Sequence, residues 1–430
     1  MKKIISGLLC MLFLFKCHAR ENPVSINVGA KRCAKMKLLL VSIGGNEQLK
    51  ECVATMQNDF AFSGQFDVAV SYCEKLPSKN MLQEWSKQGY ILTVFLNASD
   101  DDTTCDWRIY DTRKMKMLKG MRYKKRGILA RGWGHNMADM IWPLLIGQES
   151  SFSSKLAFCK EVRGKNKYPA RHIYISDFDG SFQEPVVQTP TVNLAPRWNK
   201  DLSNPLLFYS ESSQSNISLR VASMDGRRKI ASDFEGLNML PAFSKDGKEV
   251  VYCVSNGAGQ CHLFYYKNGQ LHQLTHNKGN NISPTLSDDG NQIYFCSDFS
   301  GCPLIYCLDR TINKLEKITP TGPCFSPSFC QKNNKVAYIK RVDGVMQIFV
   351  YDVLKKEHKQ LTADTQYHKE DCAWSACGNY LLFSVNADRT SMLAIEHINT
   401  HQRHILTASN THCSYPAWSP LYHYFPHVRK

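Results

Sequence analysis

The chain has 430 residues, 43% apolar and 21% charged, with a formal net charge of +15. This composition excludes a low-complexity chain and leaves room for two or three domains, each with a core of its own. The basic excess raises nucleic acid as a partner class, and the N-terminus argues against it.

Met1-Lys2-Lys3 is a basic start, followed by a short apolar run from Ile4 to Phe15 and then Cys17-His18-Ala19. Residues 1–19 read as a secretory signal peptide. The run falls short of the about 20 residues that a spanning helix needs, so no transmembrane segment is expected in the mature form. A lipid anchor on Cys17 is the rival reading, and Phe15-Lys16 is a poor approach to a lipidated cysteine. An exported chain meets anionic lipid and cell wall rather than DNA, so nucleic acid drops out as a partner.

Residues 20–147 read as a small mixed α/β domain. Lys37 to Ile43 is a continuous apolar strand. Leu49, Cys52, Val53, Met56 and Phe60 recur at helical spacing, which predicts a helix over Asn46 to Phe60. A strand at Phe66 to Val70, a helix near Lys79–Lys87 and a strand at Tyr90 to Leu96 follow. Trp107–Asp111 and Met115–Tyr123 form a hairpin, and Gly134 to Leu145 is the last helix. Arg113, Lys114, Lys116, Lys119, Arg122, Lys124, Lys125, Arg126 and Arg131 occur with no acidic residue between them. A solvated hairpin face is the expectation there, ahead of a specific anion site. Gly147 to Ser154 reads as a linker.

Residues 148–430 repeat themselves. Trp198, Phe243, Leu286, Phe329, Trp374 and Trp418 anchor a recurring Pro-Ala-Phe-Ser-like phrase at spacings of 45, 43, 43, 45 and 44. After the anchor comes a turn such as Asp246-Gly247 or Asp289-Gly290, then a β-branched strand, a hairpin and a third strand. The fourth strand ends in Leu-Thr or Ile-Thr, at Thr275, Thr319, Thr362 and Thr407. This grammar predicts a mainly β chain with a six-bladed β-propeller. Little chain follows Trp418, and spare strands precede Trp198. Residues 414–420 are therefore expected to close the ring as the first strand of the first blade.

Seventeen cysteines occur, fifteen of them after Ala19. Cys253 with Cys261 and Cys296 with Cys302 are candidate disulfide couples, with buried inert thiols as the alternative. The spacings Cys324–Cys330 and Cys372–Cys377 do not suit a structural zinc site, so no metal is expected. No GxSxG, HExxH, P-loop or GxGxxG is present, and neither catalytic residues nor a cofactor are expected. Asn97, Asn216 and Asn281 match the N-x-S/T acceptor pattern, which is common by chance.

Taken together, the chain resembles the TolB family, periplasmic propeller proteins of the Tol-Pal envelope system. In the first domain the likeness rests on Asp59 to Phe66, similar to the family's L-x-x-S-G-x-F, on Ile109-Tyr110-Asp111 and on Ile146-Gly147. In the propeller it rests on Ile175 to Gly180, Pro241 to Gly247 and the closing Tyr415 to Pro420. The resemblance implies a non-enzymatic periplasmic monomer. It implies that the propeller binds Pal, the peptidoglycan-associated lipoprotein, and supports outer-membrane integrity and constriction during division. It also implies TolA as a partner of the N-terminal segment, here Ser25-Ile26-Asn27-Val28-Gly29. Carried over by repeat position, the Pal contacts are Leu240, Ser283, Ser326, Asp371 and Tyr415, with Asn238, Ile282 and Glu370 beside them. These are expected in loops at one mouth of the channel, with Leu240 and Tyr415 as exposed anchors. Two alternatives stay open: an exported propeller enzyme of the glycosidase or lyase type, and a propeller that binds cell-wall glycan.

Overall fold

The computed structural model describes residues 35–44, 46–99, 103–124, 129–162, 169–213, 216–255, 259–387 and 390–422. The signal-peptide reading, the Ser25–Gly29 segment, Lys125 and Arg126 lie outside the described residues. Two compact units divide the chain, Gly29–Ser153 and Ser154–Lys430.

The first unit runs β1 (Met36–Ile43), α1 (Glu47–Phe62), β2 (Phe66–Cys73), α2 (Lys79–Lys87), β3 (Leu92–Ala98), β4 (Thr104–Asp111), β5 (Lys116–Lys124) and α3 (Ala130–Ile146). The sheet order is β2-β1-β3-β4-β5. The central strand β1 is parallel to both neighbours and buried from Leu38 to Ile43, which is why it reads as an unbroken apolar run. Asn46 caps α1 by accepting the Leu49 N–H at 2.7 Å. α1 and α3 come so close that a Cβ on Gly134 would lie 2.7 Å from the Cys52 carbonyl. Beside that crossing, His135 Nδ1 meets the buried Asp59 carboxylate at 2.9 Å. The stretch after α3, expected as a linker, is folded against it. Ser150 Oγ and the N–H groups of Phe152 and Ser153 all donate to the Asp139 carboxylate. Phe152 completes an aromatic cluster with Phe60 and Trp142.

The second unit is six four-stranded antiparallel blades. The first contains β6 (Lys155–Val162), β7 (Ala170–Asp177) and β8 (Glu184–Val187). The second is β9 (Val192–Trp198), β10 (Leu206–Ser212), β11 (Ile217–Ser223) and β12 (Arg228–Ser232). The third is β13 (Asn238–Phe243), β14 (Val250–Ser255), β15 (Cys261–Lys267) and β16 (Gln270–Gln273). The fourth is β17 (Asn281–Leu286), β18 (Gln292–Ser297), β19 (Leu304–Asp309) and β20 (Lys314–Lys317). The fifth is β21 (Cys324–Cys330), β22 (Lys335–Val342), β23 (Val345–Asp352) and β24 (Glu357–Gln360). The sixth is β25 (His368–Trp374), β26 (Tyr380–Ala387), β27 (Thr390–His397) and β28 (Arg403–Ile405). Strand β29 (Cys413–Trp418) pairs with β6 and completes the first blade. The innermost strands touch in the cycle β29, β9, β13, β17, β21, β25 and back to β29, so the ring is closed.

Small polar groups fix each blade. The motif threonines accept N–H groups of the third strand: Thr275 from Leu263, Thr319 from Ile305, Thr362 from Ile348 and Thr407 from Leu393, at 2.9–3.0 Å. They extend the ladder where the fourth strand ends. Two of the three anchor indoles bind the preceding blade instead. Trp198 Nε1 donates to the Ala417 carbonyl at 3.3 Å and Trp374 Nε1 to the Ser328 carbonyl at 2.9 Å.

Candidate functional site

Each innermost strand carries a bulge at the same place. The register shifts between Met239 and Ala242, Ile282 and Thr285, Phe325 and Ser328, Glu370 and Ala373, and Ser414 and Ala417. Inside each bulge one residue adopts a left-handed backbone: Leu240 (φ 56°), Ser283 (55°), Ser326 (48°), Asp371 (54°) and Tyr415 (51°). Ala195 (51°) is the equivalent in the second blade. All six stand three residues before their anchor. A non-glycine residue here costs roughly 1–2 kcal/mol, and six in phase form a ring of strained backbone around the channel.

The predicted contact residues are therefore not in loops. All eight lie within the innermost strands. The repeated proline follows the bulge, so the turn-like signal of X-Pro marks a kink inside a strand rather than its beginning. Two of the eight are structural. Asn238 is fully buried: its Nδ2 donates to the Ile217 carbonyl at 3.1 Å and the Phe234 carbonyl at 2.6 Å, and its Oδ1 accepts from Ser232 Oγ at 2.9 Å. Leu240 is 9% exposed and belongs to the apolar cluster between blades, so it is no exposed anchor. Ile282, Ser283, Ser326, Glu370, Asp371 and Tyr415 keep partial exposure.

Sequence reasoning missed a second ring. Asn193, Asn238, Asn281, Cys324, Lys369 and Cys413, five residues before each anchor, are all fully buried. The asparagines reach back to the preceding blade, Asn193 to the Arg171 carbonyl and Asn281 to the Cys261 carbonyl. Asn281 is thus a buried fastener, whatever its acceptor pattern suggested. In the sixth blade Lys369 takes this place, donating to the Asp364 and Tyr367 carbonyls at 2.8 and 2.7 Å and to the Asp364 carboxylate. Arg403 joins Asp364 at 2.9 Å to Glu396 at 2.7 Å. The signal was present in the sequence as a fixed offset from the anchors, hidden because three residue types share it.

The polar part of the inner layer concentrates on three adjoining blades. Arg197 of β9, Asp371 and Glu370 of β25 and Tyr415 of β29 lie within electrostatic range of one another. Burial pushes the Glu370 carboxyl up to about 7, and the neighbouring Asp371 charge adds to the shift. Burial raises Asp371 to about 6, against the pull of Arg197 and the Tyr415 N–H. Burial lowers the Arg197 guanidinium from its ordinary value, and its Nη1 donates to the Pro196 carbonyl at 2.9 Å. Two carboxyls that ionise reluctantly beside an arginine make a wall that can accept or donate hydrogen bonds near neutral pH.

Neither cysteine couple is bridged. Cys253, Cys261, Cys296 and Cys302 are free thiols. Cys253 stands opposite Leu263 and Cys261 opposite Ser255, which makes them diagonal neighbours whose thiols are in hydrogen-bonding contact without a disulfide between them, while Cys296 stands opposite Ile305. Among the described residues no group of three or more His, Cys, Asp or Glu gathers in metal-binding range. No helix among them is long and apolar enough to cross a membrane.

These features define a class: a six-bladed β-propeller with a kinked, charged inner layer, in one chain with a small α/β domain. Residues 142–422 match the family model described as TolB beta propeller domain, and the chain belongs to the TolB family. It is 26% identical over 321 residues to the "Tol-Pal system protein TolB" of Francisella tularensis subsp. mediasiatica, covering 71% of this chain and 72% of that one. The crystal structure of TolB from Acinetobacter baumannii matches with a TM-score of 0.78 at 20% identity, over 92% of this chain and 99% of that one. Kuenenia stuttgartiensis hydrazine synthase shares the fold alone, with a TM-score of 0.52 at 12% identity over 66% of this chain and 48% of that one.

Proposed function

We propose that this chain is a non-enzymatic periplasmic component of the Tol-Pal envelope system. Its propeller binds Pal and so supports outer-membrane integrity and constriction during division. The observation that carries this reading is the family match across residues 142–422. The partly exposed members of the bulge ring, Ile282, Ser283, Ser326, Glu370, Asp371 and Tyr415, are the proposed contacts. Tyr415 is the anchor of choice, because a large amphipathic side chain among polar neighbours is typical of interface hot spots. Calorimetric titration with the soluble domain of Pal tests it. Tyr415→Asn keeps a residue type that tolerates the left-handed backbone, and is expected to weaken binding by at least about 2 kcal/mol. Unchanged affinity in the folded variant places the contact elsewhere; no binding by the parent ends the reading.

One observation favours a second reading. An arginine beside two carboxyls with raised pKa values is the equipment of an exported propeller enzyme acting on glycans. Turnover of a glycan by the purified chain, lost in both Glu370→Gln and Asp371→Asn, would replace the Pal reading.

A further inference from the structure

The hairpin at the edge of the first unit carries an inference independent of the propeller. Among the described residues β5 is the outer strand of its sheet, paired on one side only. Every residue from Lys116 to Arg122 is exposed. Pairing with β4 sets the directions. Lys119 and Met121 stand opposite the buried Ile109 and Trp107, whereas Met117 and Arg122 stand opposite Tyr110 and Asp106 on the other face. A bulge leaves Leu118 without a partner between them. Each face of the strand thus mixes cations with apolar side chains.

The apolar content is considerable. Met115, Met117, Leu118 and Met121 are 38%, 50%, 52% and 45% exposed within seven residues. The charge is one-sided. Arg122 is held by Asp106 at 2.6 Å, and Lys114 lies 3.9 Å from Asp111. Arg113, Lys116, Lys119 and Lys124 have no carboxylate partner within 4 Å among the described residues.

We propose that this hairpin is a docking surface for anionic lipid headgroups, lying shallowly on a bilayer. A strand edge guarded only against self-association needs its lysines, not four exposed Met and Leu side chains. A second copy would set like charges against one another. An acidic protein face would answer the cations and leave the apolar groups of both strand faces in water. A membrane interface answers both at once: Lys and Arg stems lie along the surface with their charges among the phosphates, while Met and Leu enter the acyl boundary. The free strand edge confines the contact to the hydrated headgroup level, because unpaired backbone groups do not enter hydrocarbon.

Co-sedimentation of the full chain tests this, using phosphatidylcholine vesicles with and without phosphatidylglycerol. Residues 1–19 are common to every variant, so differences between variants report the hairpin. The parent is expected to bind the anionic vesicles at least about tenfold better than pure phosphatidylcholine, with an affinity that falls as salt rises. Lys116→Glu with Lys119→Glu, and separately Met117→Ser with Leu118→Ser and Met121→Ser, are each expected to weaken binding at least about tenfold at an unchanged melting temperature. Equal binding to both vesicle types overturns the proposal, as does parental binding by either folded variant. Binding to polyglutamate that survives the Met and Leu replacements, without binding to vesicles, points to an acidic protein instead and overturns it too. Should either variant unfold, the milder Lys116→Gln with Lys119→Gln takes its place, and parental binding to anionic vesicles by that folded variant overturns the proposal.

Discussion

Glu370 concentrates the chemistry of the inner layer in one side chain. Its carboxyl has an ordinary value of 4.5 and is pushed up to about 7 by burial first and Asp371 second. Below about pH 4.5 it is protonated in folded and unfolded chains alike and adds no pH dependence. Between about 4.5 and 7 the unfolded chain releases a proton that the folded chain keeps, so stability falls as pH rises. Above about 7 the full penalty is present. Other groups oppose this trend: burial lowers His397 to about 4, and a depressed histidine destabilises the fold as pH falls below its unfolded value. The profile of the parent alone is therefore mixed, and a difference between variants is the clean measure. Glu370→Gln is expected to gain about 2–3 kcal/mol over the parent at pH 8 and little at pH 5. Urea unfolding at the two pH values checks it, and a pH-independent difference would mean that Glu370 ionises normally.

At the level of the element, the inner-strand bulge shows what the sequence conveys and what it conceals. Ser283 sits at φ 55° in the break in pairing between Ile282 and Thr285. Ser283→Gly is expected to leave stability within about 1 kcal/mol, since relief of backbone strain offsets the greater freedom of the unfolded chain. Ser283→Val, β-branched and poorly suited to positive φ, is expected to lose at least about 2 kcal/mol. Equal melting temperatures for the two variants would show that the position is unstrained. The period, the anchors and the Leu-Thr strand ends were legible because apolar alternation and turn chemistry are local. The order of elements in the first domain was legible for the same reason, from the burial of β1 to the helical spacing of α1. The bulge was not legible: X-Pro signals a departure from regular backbone without saying whether it starts a strand or kinks one. Leu240 then looked like a loop residue when it belongs to the core. The buried position five residues before each anchor stayed hidden because Asn, Lys and Cys satisfy it by unlike means: amide bonds to a neighbouring blade, an ion network and a packed thiol. Contacts between residues more than forty positions apart, such as Trp374 to Ser328, leave no local pattern at all.

For the whole molecule, the ring is closed by its last strand. β29 pairs with β6 on both sides of its bulge, Trp418 opposite Leu156 and Cys413 opposite Lys160. Beyond the ladder the end of the chain is fastened at several points. Ser419 N–H donates to the Lys155 carbonyl and Lys155 N–H to Ser419 Oγ, both at 2.8 Å. Trp418 Nε1 donates to Ser154 Oγ at 2.6 Å, and Tyr422 Oη to the Asn199 carbonyl at 2.9 Å, which ties the first blade to the second. The Ala417 carbonyl in turn receives the Trp198 indole. Removing the chain from Ser414 onward therefore uncovers one edge of β6, opens the contact of β29 with β9 and β25, and leaves Trp198 without its acceptor. Truncating one large buried aromatic to Ala costs about 3–5 kcal/mol, against a total stability of about 5–15 kcal/mol for a domain. Loss of the whole strand is expected to abolish cooperative unfolding of the propeller and expose it to limited proteolysis, first in the first and second blades. Trp418→Ala alone is expected to lower the melting temperature while keeping one transition, because the backbone ladder remains. A truncated chain that melts and resists protease like the parent would mean that the ring holds together without its final strand, and that the cohesion lies in the bonds between the other blades.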